Sequence, residues 1–503
     1  MEPGRPRQLV TAALVLGMFL AAIEATAVGT AMPTVVADLG GVARYSWVFS
    51  AYLLASTTTV PMYGKLADLF GRRRIYAIGV SLFLLGAALC GTATTFNQLI
   101  VYRALQGLGA GGVLPVASTL VSDIYTLEER GRIQGVFSGV WAVSSLVGPA
   151  AGGLITDLLS WRWVFYLNIP FGIASVAMLF LFLREETRGR KHRLDLLGTF
   201  SLTASVAVLL LALLEGTEIW GWTDLRTAGM ILASGLGLAV FLWQERRAPE
   251  PMLPLDLFEN RVIAVASLGN LFMGTMLFCA AAFVPMFAQG VLGGTAIDAG
   301  MILAPMSIGW PIASTTSGWL LTRFGYRPFI LAGAGVGTVG CLVLASADAQ
   351  SSRAFLMVAM FLLGTGLGFL STPYLLAVQN AVPWKRRGVA TSTVQFFRTI
   401  GGAIAVAALG AVLNAHLASR LGEDVDANVA LDPELRSRVP ADRLQDLVTG
   451  LEGGLTTIYL VMAGMAFLGI LVGVIFPRGS VASQAHAEVR DRSGPGSMSQ
   501  RGR

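Results

Sequence analysis

Fourteen stretches of this chain are each apolar enough, and about long enough, to cross a bilayer as a helix. They lie near 9–33, 46–63, 75–95, 98–122, 132–156, 164–183, 195–214, 227–243, 262–288, 297–321, 328–346, 354–377, 388–413 and 455–476. The hydrocarbon core is about 30 Å thick, so a spanning helix needs about 20 predominantly apolar residues. In lipid every backbone N–H and C=O must be satisfied within the segment, so each stretch is expected to be α-helical. A water-soluble core could not absorb apolar runs this long in this number. The 503 residues are 54% hydrophobic and only 13% charged, and 59 glycines suit helices whose backbones approach closely. The expected fold class is an all-α integral membrane protein.

The opening residues, MEPGRPRQLVTAALVLGMFLAAIEATAVG, have the basic start and apolar run of a secretion signal. The run is too long for one, contains Glu24 and precedes many more spans, so it is expected to remain as the first helix. Loop charges orient the bundle. With the N-terminus in the cytoplasm, 26 of the 36 Lys and Arg fall on that side and eight on the other, while Arg103 and Arg398 lie within spans. The positive-inside rule then puts both termini of a multi-pass cell-membrane (plasma or inner) protein in the cytoplasm. The net charge of +6 is scattered in short clusters between apolar segments, so the expected partner is the lipid bilayer and not nucleic acid. Cys90, Cys279 and Cys341 each sit in an apolar segment with no disulfide or metal-ligand spacing, and no metal site is expected. Residues 414–454 include LGEDVDANVALDPELRSRVPADRLQDL, polar enough for an external loop. The tail ending RSGPGSMSQRGR reads as disordered.

An internal repeat sets the domain organisation. GKLADLFGRR at 64–73 and GWLLTRFGYR at 318–327 share glycines seven apart, a Phe before the second glycine and a closing arginine, at an offset of 254. GLGAG at 107–111 recurs as GTGLG at 364–368, and ERGR at 129–132 is echoed by RRGV at 386–389, both at an offset of 257. Three collinear matches point to a duplicated six-helix unit. The expected domains are an N-terminal six-helix bundle (1–183), two inserted helices with their linkers (184–261), a C-terminal six-helix bundle carrying the loop 414–454 (262–476), and a cytoplasmic tail (477–503).

The same segments carry a resemblance. GKLADLFGRRR (64–74), RALQGLGAGG (103–112), GVWAVSSLVGPAAGG (139–153), WRWVFYLNIP (161–170) and IEATAVGTAMP (23–33) together resemble the major facilitator superfamily, in particular its fourteen-helix drug:proton antiporter branch. The likeness spans roughly residues 9–476. It implies the major facilitator fold: two six-helix bundles that rock about a central site, here with two inserted helices. One departure is Glu24, where the branch usually carries aspartate.

Each motif has a physical reading. An ionised side chain is expensive inside a bilayer, so Glu24 is a candidate proton carrier; a carboxylate merely pairing or reaching solvent at the helix end is the plainer alternative. The resemblance links Arg103 to proton transfer, against a structural anchor for helix-end carbonyls. Arg398, in QFFRTIGG, is a possible secondary member. Gly139, Gly148, Pro149, Gly152 and Gly153 space small residues and one helix-bending proline along the fifth span, which the resemblance assigns to antiport-type gating. Gly64 and Gly71 would permit a short turn and close approach, while Arg72 and its neighbours hold the loop in the cytoplasm. Asp68 is not needed for topology. The resemblance pairs it with a helix N-terminus of the other half, here the thirteenth span near Gly388, as a conformational latch. The second copy carries Thr322 at that position, so the latch would be one-sided.

The expected function is proton-coupled export of hydrophobic, possibly cationic, drug-like molecules by a monomer, with the proton as coupling ion and no cofactor. Aromatic and Met-rich spans would supply an adaptable cavity. A dedicated exporter of one metabolite or self-made antibiotic is the alternative, and a non-transporting membrane sensor a more distant one. No nucleophile–base set or Walker-type GxxxxGK[ST] motif is present, so an enzyme or an ATP-driven pump is not expected.

Overall fold

A computed structural model describes residues 5–39, 45–183, 185, 196–218, 224–248, 251, 253–294, 296–421 and 440–477. Among them the chain forms fifteen α-helices and no strand. The first half holds α1 (Arg5–Leu39), α2 (Tyr45–Phe70), α3 (Arg72–Thr92), α4 (Phe96–Ile124), α5 (Leu127–Leu158), the short α6 (Arg162–Tyr166) and α7 (Asn168–Phe182). Then come α8 (Leu196–Glu218) and α9 (Leu225–Glu245). The second half holds α10 (Arg261–Met286), α11 (Ala296–Phe324), α12 (Arg327–Ala345), α13 (Arg353–Asn380), α14 (Arg387–Leu421) and α15 (Ala441–Ile475).

Short polar residues start several of these helices. Thr95, Asp224, Asn260 and Ser352 each accept a backbone N–H of the first turn through a side-chain oxygen, satisfying donors that the helix itself leaves orphaned. Gly71 (φ 95°) turns α2 into α3 and Gly325 (φ 76°) turns α11 into α12. These are corresponding glycines of the sequence repeat, and both need backbone angles that other residues rarely adopt.

The packing repeats as the sequence does. In the first half α4 packs on α2 and α3, α1 on α5 and α7; in the second α13 packs on α11 and α12, α10 on α14 and α15. A large apolar cluster from Leu257 to Phe476 fills the second half, and separate clusters fill the first. The halves meet where α2 crosses α14 and where α5 crosses α11. At the second crossing a Cβ on Gly131 would lie 2.5 Å from the Cα of Gly318, and the reverse holds equally. Only glycine fits on either side. The inserted α8 packs against both α2 and α14, and Val60, Leu202, Val206, Phe241, Phe396 and Ile400 share one cluster there.

Ten helices among the described residues are long and apolar enough to cross a membrane. The expected spans carried by α2, α5, α8 and α11 fall outside that set. That set counts only described residues, and α2 and α5 each include side chains outside them; α2 and α11 also bury polar residues against neighbouring helices. A face turned to protein can carry Thr57, Thr58 and Thr59 in α2, or Ser314 and Ser317 in α11, all buried. The described apolar part of α8 is the shorter Phe200–Leu209. The expected loop 414–454 also needs correction: α14 runs on to Leu421 and α15 begins at Ala441, so helix takes up both ends of that stretch. Residues 422–439, and all of the tail beyond residue 477, lie outside the described residues.

Candidate functional site

Glu24 lies within α1 with its side chain fully sealed from solvent. Two other helices reach it, and a third, α2, holds its arginine partner. Arg103 of α4 forms an ion pair with Glu24, and Asn168, the first residue of α7, donates its amide to the second carboxylate oxygen at 2.5 Å. Arg103 is held further by Gln106 Oε1 (2.8 Å) and the Val48 carbonyl of α2 (3.2 Å), with its guanidinium 4.3 Å from the Tyr52 ring centroid. Every partner belongs to the first half. The arginine pairs with the acid and donates to a carbonyl in the first turn of α2. Asn168 Oδ1 and Gln106 Nε2 are buried without a partner, which is costly for polar groups unless another state of the site uses them. Both amides were missed as site residues. They stand in the quoted stretches WRWVFYLNIP and RALQGLGAGG, and a lone amide in an apolar span was the available signal.

The second group lies at the opposite ends of the same helices. Asp68, near the end of α2, accepts the backbone N–H groups of Gly388 (3.2 Å) and Val389 (2.9 Å) in the first turn of α14. A carboxylate there meets two orphan donors and the positive end of the helix dipole. Gly388 leaves the room: a Cβ on it would run into Asp68 Oδ1. Arg72 donates to Asp68 Oδ1 and to the Trp384 carbonyl, each at 3.1 Å, pairs with Asp123 and lies 4.7 Å over the Trp384 ring. Further hydrogen bonds cross between the halves at this end: Arg130 to Asn380 Oδ1 (3.1 Å), Gln379 to the Ser118 carbonyl (3.4 Å) and Arg387 to the Ser122 carbonyl (3.4 Å).

Several expected roles change. Arg72 is 2% exposed, so two carboxylates and a ring face hold it, not cytoplasmic water. Gly64 lies inside α2 and not in a turn; it faces Ser392 and Gly388 of α14, and its close approach replaces the expected bend. Gly71 does form the turn. In α5, Gly148 and Gly152 are buried, while Gly139 has no neighbour within 4 Å of a Cβ position. Among the described residues, the tight contacts of that helix are Gly131 on Gly318 and Gly135 on Thr315. The helix runs unbroken from Leu127 to Leu158, and the side-chain surroundings of Pro149 and the surroundings of Gly153 lie outside what is described. Arg398 is half-buried in α14, its backbone carbonyl against Gly274 of α10, and it joins neither group. Thr322, the repeat partner of Asp68, is exposed and donates to the Trp319 carbonyl of its own helix. The start of α5 does not need it, since Glu129 Oε2 accepts the Thr126 N–H at 3.0 Å.

Over residues 14–406 the chain matches the Major Facilitator Superfamily. It is 39% identical over 414 residues to the multidrug transporter protein MdtP of Bacillus subtilis, covering 82% of this chain and 76% of that protein. It is 34% identical over 469 residues to multidrug resistance protein 3 of the same organism, covering 90% of this chain and 92% of that one. Among solved structures, the human organic anion transporter MFSD10 (TETRAN) is similar in fold, with a TM-score of 0.63 at 12% identity, covering 93% of this chain and 100% of that one. The duplicated packing and the long matches agree: the chain belongs to the major facilitator superfamily.

Proposed function

We propose that this protein is a proton-coupled antiporter that exports hydrophobic, drug-like molecules by alternating access. Its family is one of transporters and not enzymes. The relatives named as multidrug transporters support the substrate class. In this reading the protein is a monomer with fourteen spans and both termini in the cytoplasm. The proton is the coupling ion, and no cofactor takes part.

The observation that carries the proposal is the Glu24–Arg103–Asn168 group, a titratable acid sealed within one half. Protonation of Glu24 ends the ion pair, yet Arg103 keeps Gln106, the Val48 carbonyl and the Tyr52 face. Asn168 can rotate its amide by half a turn and offer the partnerless Oδ1 to the new carboxyl O–H. Both protonation states then find partners, as a group that loads and releases protons requires. Asp68 and its neighbours hold the halves together at the end assigned to the cytoplasm, so in this reading that end is closed. Opening that end requires the Asp68 contacts to break.

The test is ethidium export by purified protein in proteoliposomes under an imposed pH gradient. Uphill accumulation that a protonophore abolishes is expected; flux indifferent to the gradient would overturn the coupling. Orientation is checked separately. A cysteine at Gln350, in the α12–α13 connection, should react with an impermeant maleimide outside intact cells, and one at Arg74 should not.

A further inference from the structure

We infer that the end of α9 holds the headgroup of an acidic phospholipid. At 21 residues, α9 is about 31 Å long, enough to cross the hydrocarbon core once. Its residues just past the core therefore fall at the headgroup layer. There Ala239, Leu242, Trp243, Arg246 and Arg247 line a cavity of about 350 Å³. Trp243, Arg246 and Arg247 are all exposed.

Among the described residues the charges at this cavity are unbalanced. The Arg247 guanidinium lies 4.2 Å over the Trp243 ring, which positions the cation without neutralising it. Neither arginine forms an ion pair with a carboxylate among the described residues. The adjacent acid, Glu245, is buried on the other side of the helix, where Oε2 accepts the Leu253 N–H at 3.3 Å. Two free guanidiniums match a phosphodiester, with one fixed by the ring and one free to adjust. The rest of the surface selects a lipid over a dissolved anion. α9 packs chiefly on α8, and Leu232, Leu236 and Val240 leave an exposed apolar track leading to the cavity. Acyl chains can lie along that track while the phosphate reaches the arginines. The neighbouring Phe241 points inward, into the cluster shared by α2, α8 and α14.

The experiment is a lipid titration of the purified full chain, read by native mass spectrometry, and it is independent of transport. Phosphatidylglycerol should bind in preference to phosphatidylcholine of the same acyl chains. Arg246→Gln with Arg247→Gln should weaken phosphatidylglycerol about 30-fold, the loss expected for two juxtamembrane arginines, and leave phosphatidylcholine unchanged. Arg246→Lys with Arg247→Lys should keep most of the preference, and Trp243→Leu should cost a smaller factor by freeing Arg247. As a control, Arg261→Gln with Arg323→Gln removes two exposed arginines elsewhere and should change nothing. Undiminished phosphatidylglycerol binding in the Gln pair, or an equal loss in the control pair, would overturn the site. Displacement of the lipid by millimolar inorganic phosphate would show a site for a free anion instead.

Discussion

The Glu24 group and the Asp68 group are both built around a buried carboxylate and an arginine, on the same early helices. They differ in where their partners come from. Glu24 finds Arg103 and Asn168, and Arg103 in turn finds Gln106 and the Val48 carbonyl, all within the first half. Asp68 finds Gly388 and Val389 across the gap, and its arginine reaches Trp384 there too. In the proposed alternating-access cycle the first group would travel as a rigid unit and the second would come apart. On that proposal a change of charge at Glu24 alters what one half stores, and a change at Asp68 alters which conformation the halves prefer.

The largest effect should come from Glu24. Glu24→Gln removes the titratable proton and leaves Arg103 buried opposite a neutral amide. Breaking a buried pair this way costs about 3–5 kcal/mol in soluble proteins, so both uphill transport and thermal stability should fall. Glu24→Asp keeps the acid one carbon shorter and should restore part of the uphill transport. If Glu24→Gln still concentrates ethidium against its gradient, the contrast between a storing group and a latching group fails.

Next comes the glycine pair at the α5–α11 crossing. Gly131→Val places atoms where the Gly318 backbone already lies. Overpacking of this kind typically costs about 1–3 kcal/mol, and separating the halves relieves it. Spin labels at the Asp68 ends of α5 and α11 should move apart while uphill export slows. Unchanged distances would show that this crossing does not constrain the closed state.

Asp68→Asn should act in the same direction but more weakly. An anion at a helix N-terminus is worth about 0.3–1 kcal/mol when exposed and up to about 2 when partly buried. The upper value is more than tenfold in a conformational ratio. Labels on the ends of α2 and α14 should separate, with expression unchanged. Distances and transport both at the parental level would remove Asp68 from the latch and leave Arg72, Arg130 and Gln379 to hold that end.

The smallest effect is that of pH on an exposed strap beside the latch. Arg386 donates to both oxygens of Asp256, at 2.7 and 2.9 Å, and these bonds hold the Asp256 carboxyl below its ordinary range. A depressed carboxylate stabilises the fold above its unfolded pKa of about 3.9, and that contribution disappears as pH falls through the folded value. Both side chains are well exposed, so solvent screening keeps the contribution small. Removing the strap with Arg386→Gln should flatten only the acid limb, below about pH 4, of a plot of Tm against pH. A parental acid limb in the variant would assign that loss to other carboxylates.

Much of this architecture was legible in residue order because lipid imposes a length and a hydropathy on each spanning helix. The repeat at offsets of 254 and 257 announced a duplicated unit, and a glycine in each copy, Gly71 and Gly325, serves the same kind of turn. The resemblance, and not the spacing, pairs Asp68 with the start of the thirteenth span; the unpaired donors of a helix start explain why a carboxylate suits that place. α2 and α11 bury polar side chains, with Thr59 on the Leu108 carbonyl of α4 and Ser314 on the Gly368 carbonyl of α13, and a side chain shielded from lipid is no longer required to be apolar.

The local pattern could give residue types and spacing but not who meets whom across the bundle. Asn168 and Gln106 reach the Glu24 group only because α7 and α4 pack beside α1 and α2. The sequence places Arg72 in a cytoplasmic loop and among the expected latch residues, but its burial depends on Asp123 and Trp384, both more than fifty residues away. Glycines behave the same way: Gly139 and Gly131 look alike in sequence, and only the crossing of α5 with α11 makes one of them irreplaceable. Composition and periodicity decide that a helix forms and sits in the bilayer, since those forces act along the chain. Which faces touch is decided by close packing and by partners for buried charge, and both require all the helices to be in place.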